Sequence, residues 1–330
     1  MTEPDDNVKE LDGVGPKTGA DLKASGRGTV RKLATANPDT LPENTSLGEK
    51  KSKDLVQTAR NALRGGSPFE NGLDFEKEQN NMGTISTGSD DLDGLLRGGI
   101  AVGYLTEAFG LSSSGKSQLA FQLCVNAQLP EDEGGAGNGD MVIFIDVEET
   151  FRADRIRSMA KAAGLDPDEA LSNIEVARPT DVTDQERAIQ ETRQFDLDNV
   201  ALIVVDSISG HVRNEYQGRE NFGERSDRFG GMLEDLSKMA SGETGHDIAV
   251  FYPNQAGKKP QKQYGDPVYS YGASTLEHQS SFRMRLDARG SKGYNASLAD
   301  SPNLPPGECY FDIYECGIND QDHECEICSD

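Results

Sequence analysis

The chain has 330 residues, no tryptophan, only 6% aromatic residues and five cysteines. No stretch approaches the ~20 apolar residues that a membrane-spanning helix needs, so no membrane partner is expected. The opening MTEPDDNVKE has neither the basic start nor the apolar core of a secretory signal. No G-X-Y period marks a fibrous protein. Five cysteines in this length do not form a disulfide framework, and a reducing cytoplasm is the expected compartment. Basic residues are scarce as well: 33 Lys and Arg face 57 Asp and Glu, for a formal net charge of −24. One reading of that excess is a protein that avoids polyanions. The other is a surface adapted to high salt, because at ~1 M the Debye length is only ~3 Å. The acids run along the whole chain, including Asp166–Glu169, and do not gather in one tail, which favours salt adaptation.

What is present divides the chain, whose length suits about two domains. Residues 1–64 read as a small helical domain, with helix-like stretches at Lys17–Ser25, Thr29–Ala36 and Leu47–Leu63 between turn signals. Residues 65–82, rich in Gly, Asn and charge, read as a linker in which Phe69 and Phe75 stand out. Residues 83–318 alternate apolar, strand-like runs with helix-like segments. The runs are Tyr104–Phe109, Val142–Ile145, Ile174–Ala177, Val200–Val205, Ile248–Tyr252, Phe282–Leu286 and Tyr310–Tyr314. Such alternation predicts an α/β core with a mostly parallel sheet. Residues 319–330 form an acidic, Cys-containing tail.

Gly110–Ser117 reads GLSSSGKS and fits G-x-x-x-x-G-K-[ST] without a gap, after a strand and before a helix. Backbone N–H groups of such a loop surround phosphates, Lys116 reaches the terminal phosphates, and the Ser117 hydroxyl ligates Mg²⁺. The apolar run at 200–205 ends in Asp206, a suitable second Mg²⁺ carboxylate. Asp146 ends another run and precedes Glu148 and Glu149; one of these carboxylates could orient an attacking water, or both glutamates could be surface acids.

Arg213, Tyr216, Arg219, Arg225 and Arg228 cluster in an otherwise acidic chain, and Lys258, Lys259 and Lys262 lie in a Gly- and Pro-containing loop at 256–275. Arginine can grip phosphate and tyrosine can stack on bases. The bland alternative pairs the arginines with Glu215, Glu220, Glu224 and Asp227. In the tail, Cys316, His323, Cys325 and Cys328 read either as a tetrahedral Zn²⁺ set or as part of a solvated acidic end.

Taken together, these motifs resemble the archaeal RadA recombinases of the RecA-like strand-exchange ATPases, from about Leu11 to Ile318. TEAFGLSSSGKSQ (106–118) is similar to that family's phosphate loop, so Gly110, Leu111, Ser112, Ser113, Ser114, Gly115, Lys116, Ser117 and Gln118 are expected to bind nucleotide. The resemblance makes Glu148 in IDVEETFRADRI (145–156) the water-activating base, in place of Glu149, and puts Arg155 on the adenine. It makes Gln255 and His278 sensors of the γ-phosphate. It places Asp300 and Pro305 in a cap over ATP on a neighbouring subunit, and Phe69 in a polymerisation motif whose last position here is Gly72. LDGVGPKTGADL (11–22) resembles a helix-hairpin-helix module, where a Gly-Val-Gly turn offers backbone N–H groups to DNA phosphate.

The function this implies is an ATP-dependent DNA recombinase that binds single- and double-stranded DNA, forms a homo-oligomeric filament or ring and exchanges strands. ATP and Mg²⁺ are the implied cofactors, K⁺ an optional third, and recombination mediators further partners. The alternatives are a regulatory paralogue with little strand exchange, and a RecA-like ATPase with no DNA role. Departures from the family pattern fall at Leu111–Ser113, Val147, Glu149, Glu220, Pro253 and Ala273.

Overall fold

In a computed structural model, the apolar runs become neighbours in one sheet. The structure describes residues 6–34, 36, 38, 41–63, 71–137, 139–218, 220–241, 247–258, 268–272, 279–290 and 293–321. The chain forms two compact units, Met1–Met82 with Ser241–Asp247, and Gly83–Ala240 with Ile248–Asp330.

In the first unit, helices α1 (Pro16–Ala24), α2 (Val30–Ala34), α3 (Leu41–Asn44) and α4 (Glu49–Leu63) enclose Val8, Leu22, Leu33, Leu41 and Val56. Pro16 at the first position of α1 lacks only an N–H that the helix does not use, and Gly13 turns with φ +84°. The linker expected at 65–82 is corrected over part of its length: Gly72–Asn81 form a fifth helix, α5. Asn71 supplies the reason, since its Oδ1 accepts the N–H groups of Leu73 and Asp74 at 3.1 Å, and Lys77 pairs with Asp74 at 2.7 Å. Leu73 and Phe75 stay exposed on this helix. Phe69 lies outside the described residues.

The second unit opens with β1 (Thr84–Ile85), α6 (Asp90–Leu96) and β2 (Ile100–Ala101), then β3 (Leu105–Gly110) and α7 (Lys116–Asn126). There follow β4 (Met141–Asp146), α8 (Ala153–Ala162), α9 (Pro167–Ser172), β5 (Ile174–Ala177), α10 (Val182–Glu191), β6 (Val200–Asp206), α11 (Gly210–Glu215) and α12 (Phe222–Ala240). The unit closes with β7 (Ala249–Lys258), β8 (Val268–Ser270), β9 (Phe282–Ala288), β10 (Tyr294–Asp300), β11 (Glu308–Tyr314) and β12 (Gly317–Asn319).

The ten-stranded sheet has the order β12-β11-β10-β9-β3-β7-β6-β4-β5, with β8 pairing β7. Strands β9, β3, β7, β6, β4 and β5 are parallel, and β10 to β12 extend the sheet antiparallel. The parallel strands read as unbroken apolar runs because helices cover both faces. Alternation still sorts them: Val142, Phe144, Leu202 and Val204 pack in one core with α7 and α8, and Ile143, Ile145, Ile203 and Val205 in the other with α10 and α12. Aspartates fix helix starts. Asp166 accepts the N–H groups of Asp168 and Glu169 at 2.9 Å, and Asp181 that of Asp184 at 2.8 Å. No helix of the described residues is long and apolar enough to cross a membrane.

Candidate active site

The C-terminal ends of β3, β4, β6 and β7 meet at one edge of the sheet, where ligands bind in open α/β folds. The loop between β3 and α7 needs its glycines. A Cβ on Gly110 would come 2.2 Å from the Leu286 carbonyl oxygen and 2.5 Å from Ser114 Oγ. Gly115, at the start of α7, has φ +92°. Lys116 Nζ donates to the carbonyls of Gly110 (3.0 Å) and Leu111 (2.9 Å) and to Ser114 Oγ (3.2 Å). Burial lowers the pKa of this ammonium, while Asp206 and Glu148 pull it back up. Leu111 and Ser112–Ser114 complete the loop, and Gln118 Oε1 on α7 accepts Arg155 Nε at 2.7 Å.

Asp206 ends β6, and burial raises its carboxyl from 3.8 to about 6, against hydrogen bonds from Ser117 and Thr150. A buried carboxylate beside a phosphate-loop hydroxyl is a suitable donor set for Mg²⁺, which favours hard oxygen ligands. The Asp206–Ser207 peptide is cis.

The two glutamates after β4 separate. Glu149 is exposed with φ +54°, whereas Glu148 turns into the site. Ser207 Oγ donates to Glu148 Oε1 at 2.5 Å, and Gln255 Nε2 stands 3.4 Å from both Glu148 oxygens. Gln255 pairs in register with Gly110 across β3 and β7, so it faces the mouth of the phosphate loop. This geometry can hold a water against a terminal phosphate. Asp146 serves the backbone instead, accepting the N–H groups of Thr150 (2.8 Å) and Phe151 (3.2 Å).

Other expected residues are placed less uniformly. Arg155 donates to the carbonyls of Tyr314 (2.7 Å) and Glu315 (2.5 Å), which fixes its guanidinium beside Gln118. Asp300 ends β10, two strands from β3, and Pro305 lies in the exposed turn held by Ser301 and Leu304. Arg213 is half-buried on α11. Arg225 lies between the rings of Phe222 and Tyr271, 5.6 Å from each centroid, and donates to the Tyr216 carbonyl at 3.1 Å. Arg228 pairs with Glu186 at 2.6 Å and lies over Tyr216. Of the acids in the bland pairing, Glu215 instead accepts the Val182 N–H at 2.8 Å. Arg219, Lys259, Lys262 and His278, and the tail ligands His323, Cys325 and Cys328, lie outside the described residues, as does the side chain of Lys258. Cys316 is half-buried, and among the described residues no group of three or more His, Cys, Asp or Glu could hold a metal ion.

Several site residues carried no distinguishing sequence signal. Ser207 and Thr150 became visible through their carboxylate partners. Behind the phosphate loop, Glu107 is fully buried against Arg283 Nε (2.7 Å) and Asn254 Nδ2 (2.7 Å), and Arg283 also donates to Ser270 Oγ at 2.9 Å.

The Rad51 family profile matches residues 78–321. The chain is also similar to three proteins named DNA repair and recombination protein RadA. That of Ignicoccus hospitalis is 40% identical over 321 residues, covering 95% of each chain. That of Metallosphaera sedula is 38% identical over 316 residues and 95% of each. That of Aeropyrum pernix is 38% identical over 316 residues, 95% of this chain and 97% of its own.

Proposed function

This chain belongs to the Rad51 family, and from that premise we infer that it is an ATP-dependent DNA recombinase, a DNA-dependent ATPase acting in DNA repair and recombination. The observation that carries the reading is Glu148, held by Ser207 and facing Gln255 at the end of the strand beside the phosphate loop. In this reading the phosphate loop and Lys116 hold the nucleotide, and Glu148 takes the proton of the attacking water. Ser117 and Asp206 would hold Mg²⁺, which when bound would neutralise phosphate charge. Gln255 senses the γ-phosphate and passes its presence to the loop that β7 enters. His278 is assigned a second sensing role.

DNA contacts are assigned to Arg213, Tyr216, Arg219 and Arg225 and to Lys258, Lys259 and Lys262. The start of α1, where Gly15 makes no side-chain cap, supports phosphate holding by the first unit. Subunits join into a filament or ring through Phe69, with β5 at one edge of the described sheet, and Asp300 and Pro305 close over a neighbour's ATP. K⁺ is a candidate second ion for this acidic site, and replacing KCl by NaCl tests it. Recombination mediators are a further partner class.

The test is strand exchange in KCl at about molar concentration, comparing wild type with Lys116→Ala and Glu148→Gln. Joint molecules from wild type alone support the reading. ATP-dependent filaments without joint molecules would assign the chain to regulation, and failure to bind single-stranded DNA would remove both.

A further inference from the structure

Tyr271 touches three parts of the second unit at once. Its N–H donates to the Gln255 carbonyl at 2.8 Å, and its own carbonyl accepts Asn254 Nδ2 at 2.9 Å. Its backbone is therefore pinned, on both sides, to the two residues at the sensing end of β7. Asn254 is in turn anchored on buried Glu107 of β3, the strand that leads into the phosphate loop. The Tyr271 side chain points elsewhere. Its hydroxyl accepts from Arg225 Nη1 at 3.4 Å, its ring faces the Arg225 guanidinium at 5.6 Å, and its edge packs on Phe229 with centroids 6.4 Å apart. Arg225 closes the circuit by donating to the Tyr216 carbonyl, in the segment that joins α11 to α12.

We propose that Tyr271 is a positioning residue that couples the nucleotide-sensing end of β7 to the Arg225–Tyr216 segment. Through it, ATP sets the conformation of that DNA-facing segment, and DNA bound there sets the rate of hydrolysis. The inference rests on the recombinase reading. Its physical basis is direct: a backbone held at two points cannot shift with Gln255 and Asn254 without carrying its ring. A ring that faces a guanidinium and is hydrogen-bonded to it transmits that shift to the arginine. Linkage then requires DNA bound there to tighten ATP binding by the same factor by which ATP tightens DNA binding.

The experiment compares wild type, Tyr271→Leu, Tyr271→Phe, Arg225→Lys and the Tyr271→Leu/Arg225→Lys double variant, all as full chains. It measures ATPase with and without single-stranded DNA, and DNA affinity with ADP and with a non-hydrolysable ATP analogue. Tyr271→Leu should lose at least fivefold of the DNA stimulation and of the ATP-against-ADP affinity ratio, while the KM for ATP without DNA stays within about twofold. Tyr271→Phe keeps the ring and the backbone bonds and should retain most of the coupling. A merely structural defect would not be rescued in this way. The double variant should lose no more than the larger single loss. An unchanged stimulation ratio in Tyr271→Leu, or additive losses in the double variant, overturns the proposal and leaves the recombinase reading standing. A wild type with no DNA stimulation and no nucleotide-dependent DNA affinity overturns both.

Discussion

Asp206 and Glu148 stand close together and are held in opposite ways. Asp206 is buried, and its carboxyl is raised from 3.8 to about 6. In metal-free protein its contribution to folding is fully present below about pH 4 and lost as pH rises through about 6. Ionised at pH 7.5, it costs on the order of 3 kcal/mol. Metal-free Asp206→Asn should therefore melt several degrees above wild type at pH 7.5, with the gap closing toward pH 4. Calorimetry across pH checks this, and Mg²⁺ with ATP should reverse the order. Glu148 has a hydroxyl partner and an exposed side. Glu148→Gln should retain ATP and DNA binding and lose about 10²- to 10⁴-fold in hydrolysis, read by phosphate release, whereas Glu149→Gln should change hydrolysis by less than about threefold. The residues alone left both glutamates open. One left-handed φ at Glu149, set by the turn after β4, aims one carboxylate inward and the next outward.

Elements repeat this division. The parallel strands were legible as apolar runs because burial on both faces leaves no polar position to blur them. Strand β10, YNASLAD, was not, since its polar positions resemble a loop and only pairing with β9 and β11 makes it a strand. Helix α5 was hidden in a linker-like composition, where one Asn cap outweighs the exposed Leu73 and Phe75. The joint between β3, β7, β8 and β9 was invisible, because Glu107, Asn254, Ser270 and Arg283 are far apart in the chain. Removing one partner of the buried Glu107–Arg283 pair strands the other charge in the core. Glu107→Gln or Arg283→Met should each cost about 3–5 kcal/mol in urea unfolding. The joint Glu107→Met/Arg283→Met change should cost less than the sum of its two single changes, since neither charge is then left alone.

For the whole molecule, the charge of −24 governs how DNA can be held. Some of the acids that suggested salt adaptation also have local work: Asp166 and Asp181 cap helices, and Asp146 holds the turn behind Glu148. Two of the arginines in the cluster at 213–228 are engaged within the protein, Arg228 with Glu186 and Arg225 between two rings. With acids in such excess and molar salt around the protein, counterion release should contribute little, so DNA affinity should lean on stacking, backbone N–H contacts and filament cooperativity. Log affinity against log salt, measured from about 1 to 3 M KCl, should have a slope shallower than about −3, corresponding to roughly three phosphate contacts per site. A slope near that of a basic DNA binder would overturn this.

The phosphate loop, the strand that ends in Asp206 and the α/β class are legible in the chain order alone, because each depends on residues close together in it. Which glutamate faces Gln255, which arginines are already engaged, and that Tyr271 joins two loops become visible once the chain is folded. Those are contacts between residues distant in sequence. Strand order and burial set them, and no local pattern encodes either.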